Sequence, residues 1–103
     1  IIVGRCADYI LRGAQPFRVF VYADTESKLK RCMERKPEDE SLSEAQMKKR
    51  MTDIDRGRAK YYEFFSEQKW GAKENYDLLV NTSGADVKKL ADALCGYLQT
   101  ILE

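Results

Sequence analysis

Arg58 stands where a helical repeat asks for an apolar side chain. Met47, Met51, Ile54, Tyr61 and Phe65 recur at alternating spacings of four and three, which turns one helix face inward. The position that completes the series is Arg58. A guanidinium on an inward face needs an anion, either a carboxylate or a bound phosphate. Asp55, one helical turn earlier, offers the first. The second draws on further cations: Arg5 after an opening apolar stretch, Lys28 or Arg31 near the start of a helix, and Arg56 beside Arg58. Positive charge brought together from separate elements suits phosphoryl transfer, whose loose transition state spreads charge over the phosphoryl oxygens. Read singly, each residue also has an ordinary account. Arg5 is then a turn residue, Lys28 and Arg31 a solvated face, and Arg58 half of an internal ion pair with Asp55.

These side chains depend on the elements that carry them. Ile1-Ile2-Val3 reads as the end of a buried strand, Gly4-Arg5 as a turn, and residues 6–12 as a short helix ended by Gly13 and Pro16. The β-branched and aromatic run Phe17–Tyr22 is a strand. Asp24 or Thr25 caps a helix to about Lys36, with Leu29 and Met33 on its buried face. Two overlapping capping boxes, Ser41 with Glu44 and Ser43 with Gln46, start a long helix to about Gln68. A connection leads to a strand over Tyr76–Asn81, and Ser83 caps a last helix with Val87, Leu90, Ala91, Leu94, Leu98 and Ile101 on one face. This alternation predicts an α/β fold, a parallel sheet flanked by helices on both faces. Ligands in such sheets bind beyond the carboxyl ends of the strands, so Gly4-Arg5, Asp24 and Thr25 fall at the crevice rim.

Composition narrows the chemistry. Eighteen Lys and Arg against seventeen Asp and Glu leave a net charge of +1 in 103 residues, without a basic block, so nucleic acid is not the expected partner. With no histidine and three scattered cysteines, Cys6, Cys32 and Cys95, neither a zinc site nor a disulfide framework is expected, and Ser-His and Cys-His relays are excluded. The absence of a long apolar run and of a leader pattern points to no membrane and a cytoplasmic location. The aromatics Tyr61, Tyr62, Phe64 and Phe65 read as core, Cys6 as a buried inert thiol, and Trp70 as a loop anchor or as a contact folding the long helix back on the domain.

Taken in order, Gly4-Arg5-Cys6-Ala7-Asp8-Tyr9-Ile10-Leu11, Val19-Phe20-Val21-Tyr22-Ala23, Lys30-Arg31-Cys32-Met33-Glu34-Arg35, Asp55-Arg56-Gly57-Arg58-Ala59-Lys60-Tyr61-Tyr62, and Trp70 with Asn75–Ser83 resemble the cytidylate kinase-like family of P-loop kinases nearly end to end. The resemblance implies a partial P-loop NTPase fold of the nucleoside monophosphate kinase type, with a helical lid. It also implies ATP-dependent phosphorylation of a nucleoside monophosphate, CMP or dCMP, with Mg2+ as cofactor and small-molecule nucleotides as partners. Arg5 matches the Gly-Arg turn that holds the acceptor phosphate. Asp55, Arg56 and Arg58 match the lid's Asp-Arg-x-Arg pattern, Asp55 toward the acceptor sugar and Arg58 toward the phosphates. A further phosphate arginine aligns near Lys28 or Arg31, and an earlier lid arginine near Arg50 or Met51.

One departure shapes the expectation. No G-x-x-x-x-G-K-[ST] loop occurs in these 103 residues, and that loop holds the nucleotide phosphates and magnesium. The chain also starts at Ile1 in strand-like sequence. It is therefore expected to be the C-terminal part of a single kinase domain over 1–103, with 43–75 as lid helix and connection, ATP and Mg2+ held mainly by the other half, and no transfer by the fragment alone. The alternatives are a non-catalytic nucleotide-sensing or protein-interaction module derived from such a kinase, and a kinase for another small acceptor. A homo-oligomer stays open.

Overall fold

The computed structural model describes residues 3–4, 6–37 and 41–101. The elements run α1 (Ala7–Ile10), a 3-10 turn (Arg12–Ala14), β1 (Val19–Tyr22), α2 (Thr25–Arg35), α3 (Glu44–Ser66), a 3-10 turn (Lys73–Asn75), β2 (Leu78–Asn81) and α4 (Val87–Ile101). Strand 1–3 falls partly outside the described residues; Val3 lies in no strand and is exposed. Each strand starts two residues later than the sequence suggested, and the long helix is shorter by its caps Ser43 and Glu67.

Among the described residues the sheet has two strands, paired in parallel with Val19 opposite Leu78 and Tyr22 opposite Asn81. Parallel pairing follows from the long α2–α3 crossover between the strands. The expected cover on both faces is only partial: Val21 and Tyr22 are 58% and 44% exposed. The other part of the sheet is anchored by aromatics. Phe20 meets Trp70 edge-on with centroids 5.1 Å apart, and Tyr76 at 4.9 Å. Trp70 therefore anchors the connection against β1. Gly71 sits beneath that cluster at φ 79°, where an added Cβ would lie 3.3 Å from the Phe20 ring, so only glycine meets both demands.

Helix starts follow their capping residues. Asp24 accepts from the Ser27 amide at 2.7 Å, and Ser43 forms the full capping box with Gln46. The last helix is capped by Asp86 instead of Ser83: its carboxylate accepts from the amides of Lys88 and Lys89 at 3.0 and 3.3 Å. Ser83 instead accepts from the Asp24 amide at 2.7 Å, fastening β2 to the start of α2.

The inward face of α3 is rotated from the one the apolar repeat marks. Met47 and Met51 are buried as expected, but further along the buried residues are Tyr62 and Ser66, with Asp55 and Ala59 half-buried between them. Ile54, Tyr61 and Phe65 are 45%, 37% and 52% exposed, and Phe64 is 79% exposed. The two stripes coincide through Met51 and then separate by one residue, about 100° of helix. The inward stripe carries Asp55, Tyr62 and Ser66, each satisfied by a hydrogen-bond partner. Lys28 and Asp8, which meet Asp55 and Tyr62, lie elsewhere in the chain, and Ser66 bonds the Tyr62 carbonyl one turn back; a hydropathy repeat registers none of these. Leu29 and Met33, expected to be buried on α2, instead line an open hollow of about 390 Å³ against Glu44.

Candidate functional site

The carboxyl end of the sheet is where the polar groups gather. Thr82, directly after β2, is buried at 4% exposure. Its amide and its hydroxyl both donate to the Tyr22 carbonyl, at 2.8 and 3.0 Å. Arg31 reaches in from α2, Nη1 donating to the Thr82 hydroxyl at 2.8 Å and Nη2 to the Thr82 carbonyl. The guanidinium thus caps a strand end with its fork, a task suited to its planar donors. Arg31, carried as a phosphate ligand by the resemblance, places two of its donors on Thr82 in this structure.

Lys28 differs. It sits three residues before Arg31 on the same helix face, and its Nζ donates to Asp55 Oδ2 at 2.8 Å, joining α2 to α3. Asp55 also accepts from Arg58 Nη1 through Oδ1 at 2.8 Å. One carboxylate therefore holds two cations, and the trio carries a net charge of +1. The Asp55 side chain is 25% exposed, that of Lys28 38% and that of Arg58 51%. Burial pushes the Asp55 carboxyl up, but the hydrogen bonds and charges of Lys28 and Arg58 outweigh it and hold it below its ordinary value.

These positions correct the opening expectation about Arg58. It flanks the inward face and is half-exposed; Asp55 occupies that face, and Arg58 reaches back to it. The ion pair with Asp55 is what forms, partly exposed instead of internal, with Lys28 as a third member. Arg56 projects from an exposed position on α3. Arg5 lies outside the described residues, as does any meeting of Arg5 with Arg58.

A second cluster ties α1 to the end of α3. The Tyr62 hydroxyl, on a residue 3% exposed, donates to Asp8 Oδ2 at 2.8 Å and lies 3.0 Å from Gln68 Oε1. Its one proton serves the carboxylate, and turning the Gln68 amide over presents an N–H to the hydroxyl oxygen. Burial, then the bond to Asp8, raises the Tyr62 phenol far above its usual range, so it stays neutral. Cys6, two residues before Asp8, is buried at 4% exposure, and burial, then the Asp8 charge, raises its thiol. That fits the inert-thiol reading. Tyr62 is core as read, whereas Asp8 and Thr82 had no assigned role in the sequence; the Asp8–Tyr62 and Arg31–Thr82 bonds span 54 and 51 residues, beyond any local pattern.

No group of three or more His, Cys, Asp or Glu residues suited to a metal ion occurs among the described residues, and none of their helices is long and apolar enough to cross a membrane. Chemically, the rim offers two α2 cations and one α3 cation, two of them held by a single carboxylate. A phosphate ester offers more acceptor oxygens than Asp55 and competes for the same N–H groups.

A model of the cytidylate kinase-like family matches residues 1–84, a span that includes every rim residue described above. No curated protein matches the chain. Among solved structures, the crystal structure of an uncharacterized protein from Eubacterium ventriosum ATCC 27560 is similar with a TM-score of 0.81 and 34% sequence identity. The match covers 96% of this chain and 54% of that one, so this chain spans about half the length of that protein.

Proposed function

The chain belongs to the cytidylate kinase-like family, and we propose from this premise that the whole protein transfers a phosphoryl group from ATP to a nucleoside monophosphate, CMP or dCMP. The observation that carries the reading is the Lys28–Asp55–Arg58 group, inside the matched span and at the carboxyl end of the sheet. In this reading Arg58 and Arg56 on α3 stabilise the transferring phosphoryl group. Lys28 and Arg5 bind the acceptor phosphate, and Asp55 hydrogen-bonds the acceptor sugar once its cations turn to phosphate. Arg31 chiefly keeps the strand end and α2 in register, which positions Lys28. ATP and Mg2+ bind mainly on residues outside these 103, since the chain has no G-x-x-x-x-G-K-[ST] loop. α3 acts as the lid, closing over the phosphates and excluding water.

The test is direct. The full natural protein is incubated with ATP, Mg2+ and each nucleoside monophosphate in turn, and ADP release is followed. Transfer to CMP or dCMP is expected, with Arg58→Ala lowering kcat about 10²-fold or more while circular dichroism is unchanged. Absence of transfer to every monophosphate, with nucleotide binding retained, favours a sensing module; turnover unaffected by Arg58→Ala ends the proposed lid role.

A further inference from the structure

The face of α3 turned away from the core exposes an unusual amount of aromatic surface. Ile54, Tyr61, Phe64 and Phe65 are 45%, 37%, 79% and 52% exposed. Tyr61 meets Phe65 at a tilt of 46° with centroids 4.6 Å apart, and Phe64 meets Phe65 edge-on at 5.0 Å. Contiguous apolar patches of this kind mark interaction sites. The patch lies about 80° to 180° around the helix from Asp55; Arg58 stands at its edge and reaches back to Asp55, away from Phe64.

The remaining features of this face complement one another about Gly57. On the amino-terminal side a hollow of about 490 Å³ is lined by Leu42, Gln46, Lys49, Arg50, Asp53 and Ile54. Arg50 lies seven residues before Gly57 and Phe64 seven after, about 10 Å along the axis in each direction and on one helix face. Asp53 lies four before and Lys60 three after. Gly57 itself is exposed, and a Cβ added there meets nothing within 4 Å. Two such helices laid antiparallel, with the two-fold axis at Gly57, therefore place each Phe64 over the other's hollow. The same register sets Ile54 beside Tyr61 and Asp53 beside Lys60, each pair occurring twice. The missing side chain at the axis permits close approach of the backbones.

We propose that this face of α3 is an isologous dimer interface, and that its occupant is a second copy of the same chain, packed antiparallel about Gly57. The ion pairs of Asp53 with Lys60 select this register over its neighbours, and Phe64 supplies the apolar anchor. A single helix pair is a small contact, so the dimer is concentration-dependent instead of permanent.

The experiment is sedimentation velocity and light scattering on the full natural protein across the micromolar range, with circular dichroism as the folding control. The wild type is expected to shift from monomer to dimer with concentration. Gly57→Leu, which fills the axis without touching its own fold, and Phe64→Glu are each expected to raise the dimer Kd roughly tenfold or more. Asp53→Lys weakens the dimer, and adding Lys60→Asp restores it. A protein that stays monomeric throughout, with the face covered by another segment or partner, overturns the proposal. So does a dimer indifferent to Gly57→Leu, or a charge swap without rescue.

Discussion

If Asp55 ties α3 to α2 through Lys28, the two residues must be energetically coupled. At 2.8 Å the bare Coulomb attraction is about 1.5 kcal/mol in water and about 6 kcal/mol at an effective dielectric of 20. Neither is the net value, because both ions lose hydration and Lys28 loses side-chain freedom. Exposed pairs measure roughly 0.2–1 kcal/mol; with side chains 38% and 25% exposed, this one belongs near the upper end, about 0.5–1 kcal/mol. The Arg58 contact, an i,i+3 pair with Arg58 51% exposed, adds only about 0.3–0.5 kcal/mol. A thermal-unfolding double-mutant cycle with Lys28→Met and Asp55→Ala isolates the first term and cancels the change in helix propensity at position 55. The expected coupling of about 0.5–1 kcal/mol corresponds to a few degrees in Tm for a domain of this size. Because the folded carboxyl titrates below its ordinary 3.8, the unfolded chain takes up the proton first on acidification. The stabilisation is thus present above 3.8 and lost as pH falls through the lowered folded value. Additivity within about 0.2 kcal/mol at neutral pH and low salt refutes the tie. So does a coupling that persists in acid.

Two further changes probe the supports of the rim. Tyr62→Phe removes the hydroxyl from Asp8 and Gln68 without altering shape, and is expected to cost about 1–3 kcal/mol in denaturant unfolding; a change below about 0.5 kcal/mol shows that the Asp8 contact does not hold α1. Gly71→Ala sets a Cβ against Phe20 at a positive φ, and a loss of about 1–2 kcal/mol is expected, accompanied by a shift in Trp70 fluorescence. An unchanged midpoint and spectrum contradict the close packing at that turn.

The elements were legible where their causes are local. The Ser43–Gln46 box, the Asp24 cap and the Val19–Tyr22 strand each depend on a few adjacent residues, and each forms. The parallel pairing of the strands follows from the long crossover between them. The inward face of α3 was not legible, because Tyr62 and Ser66 are buried through hydrogen bonds while Ile54 and Phe65 stay outside, the reverse of a ranking by hydropathy. At the rim, the Asp55–Arg58 contact was legible as an i,i+3 pair. The different partners of Lys28 and Arg31 were not, since Arg31 turns to Thr82, 51 residues away.

The length of α3 gives its fastening near Tyr62 a leverage that neighbouring contacts feel unequally. Ser43 stands nineteen residues from Tyr62, an arm of about 28 Å, whereas Asp55 is only about 10 Å away. Swinging the rod by about 10° sweeps its far tip through roughly 5 Å but moves Asp55 by roughly 2 Å. In a lid motion of the kind proposed, pivoting there, that short travel would part a 2.8 Å contact with Lys28, so the cation would be let go early in the stroke, before the tip had moved far.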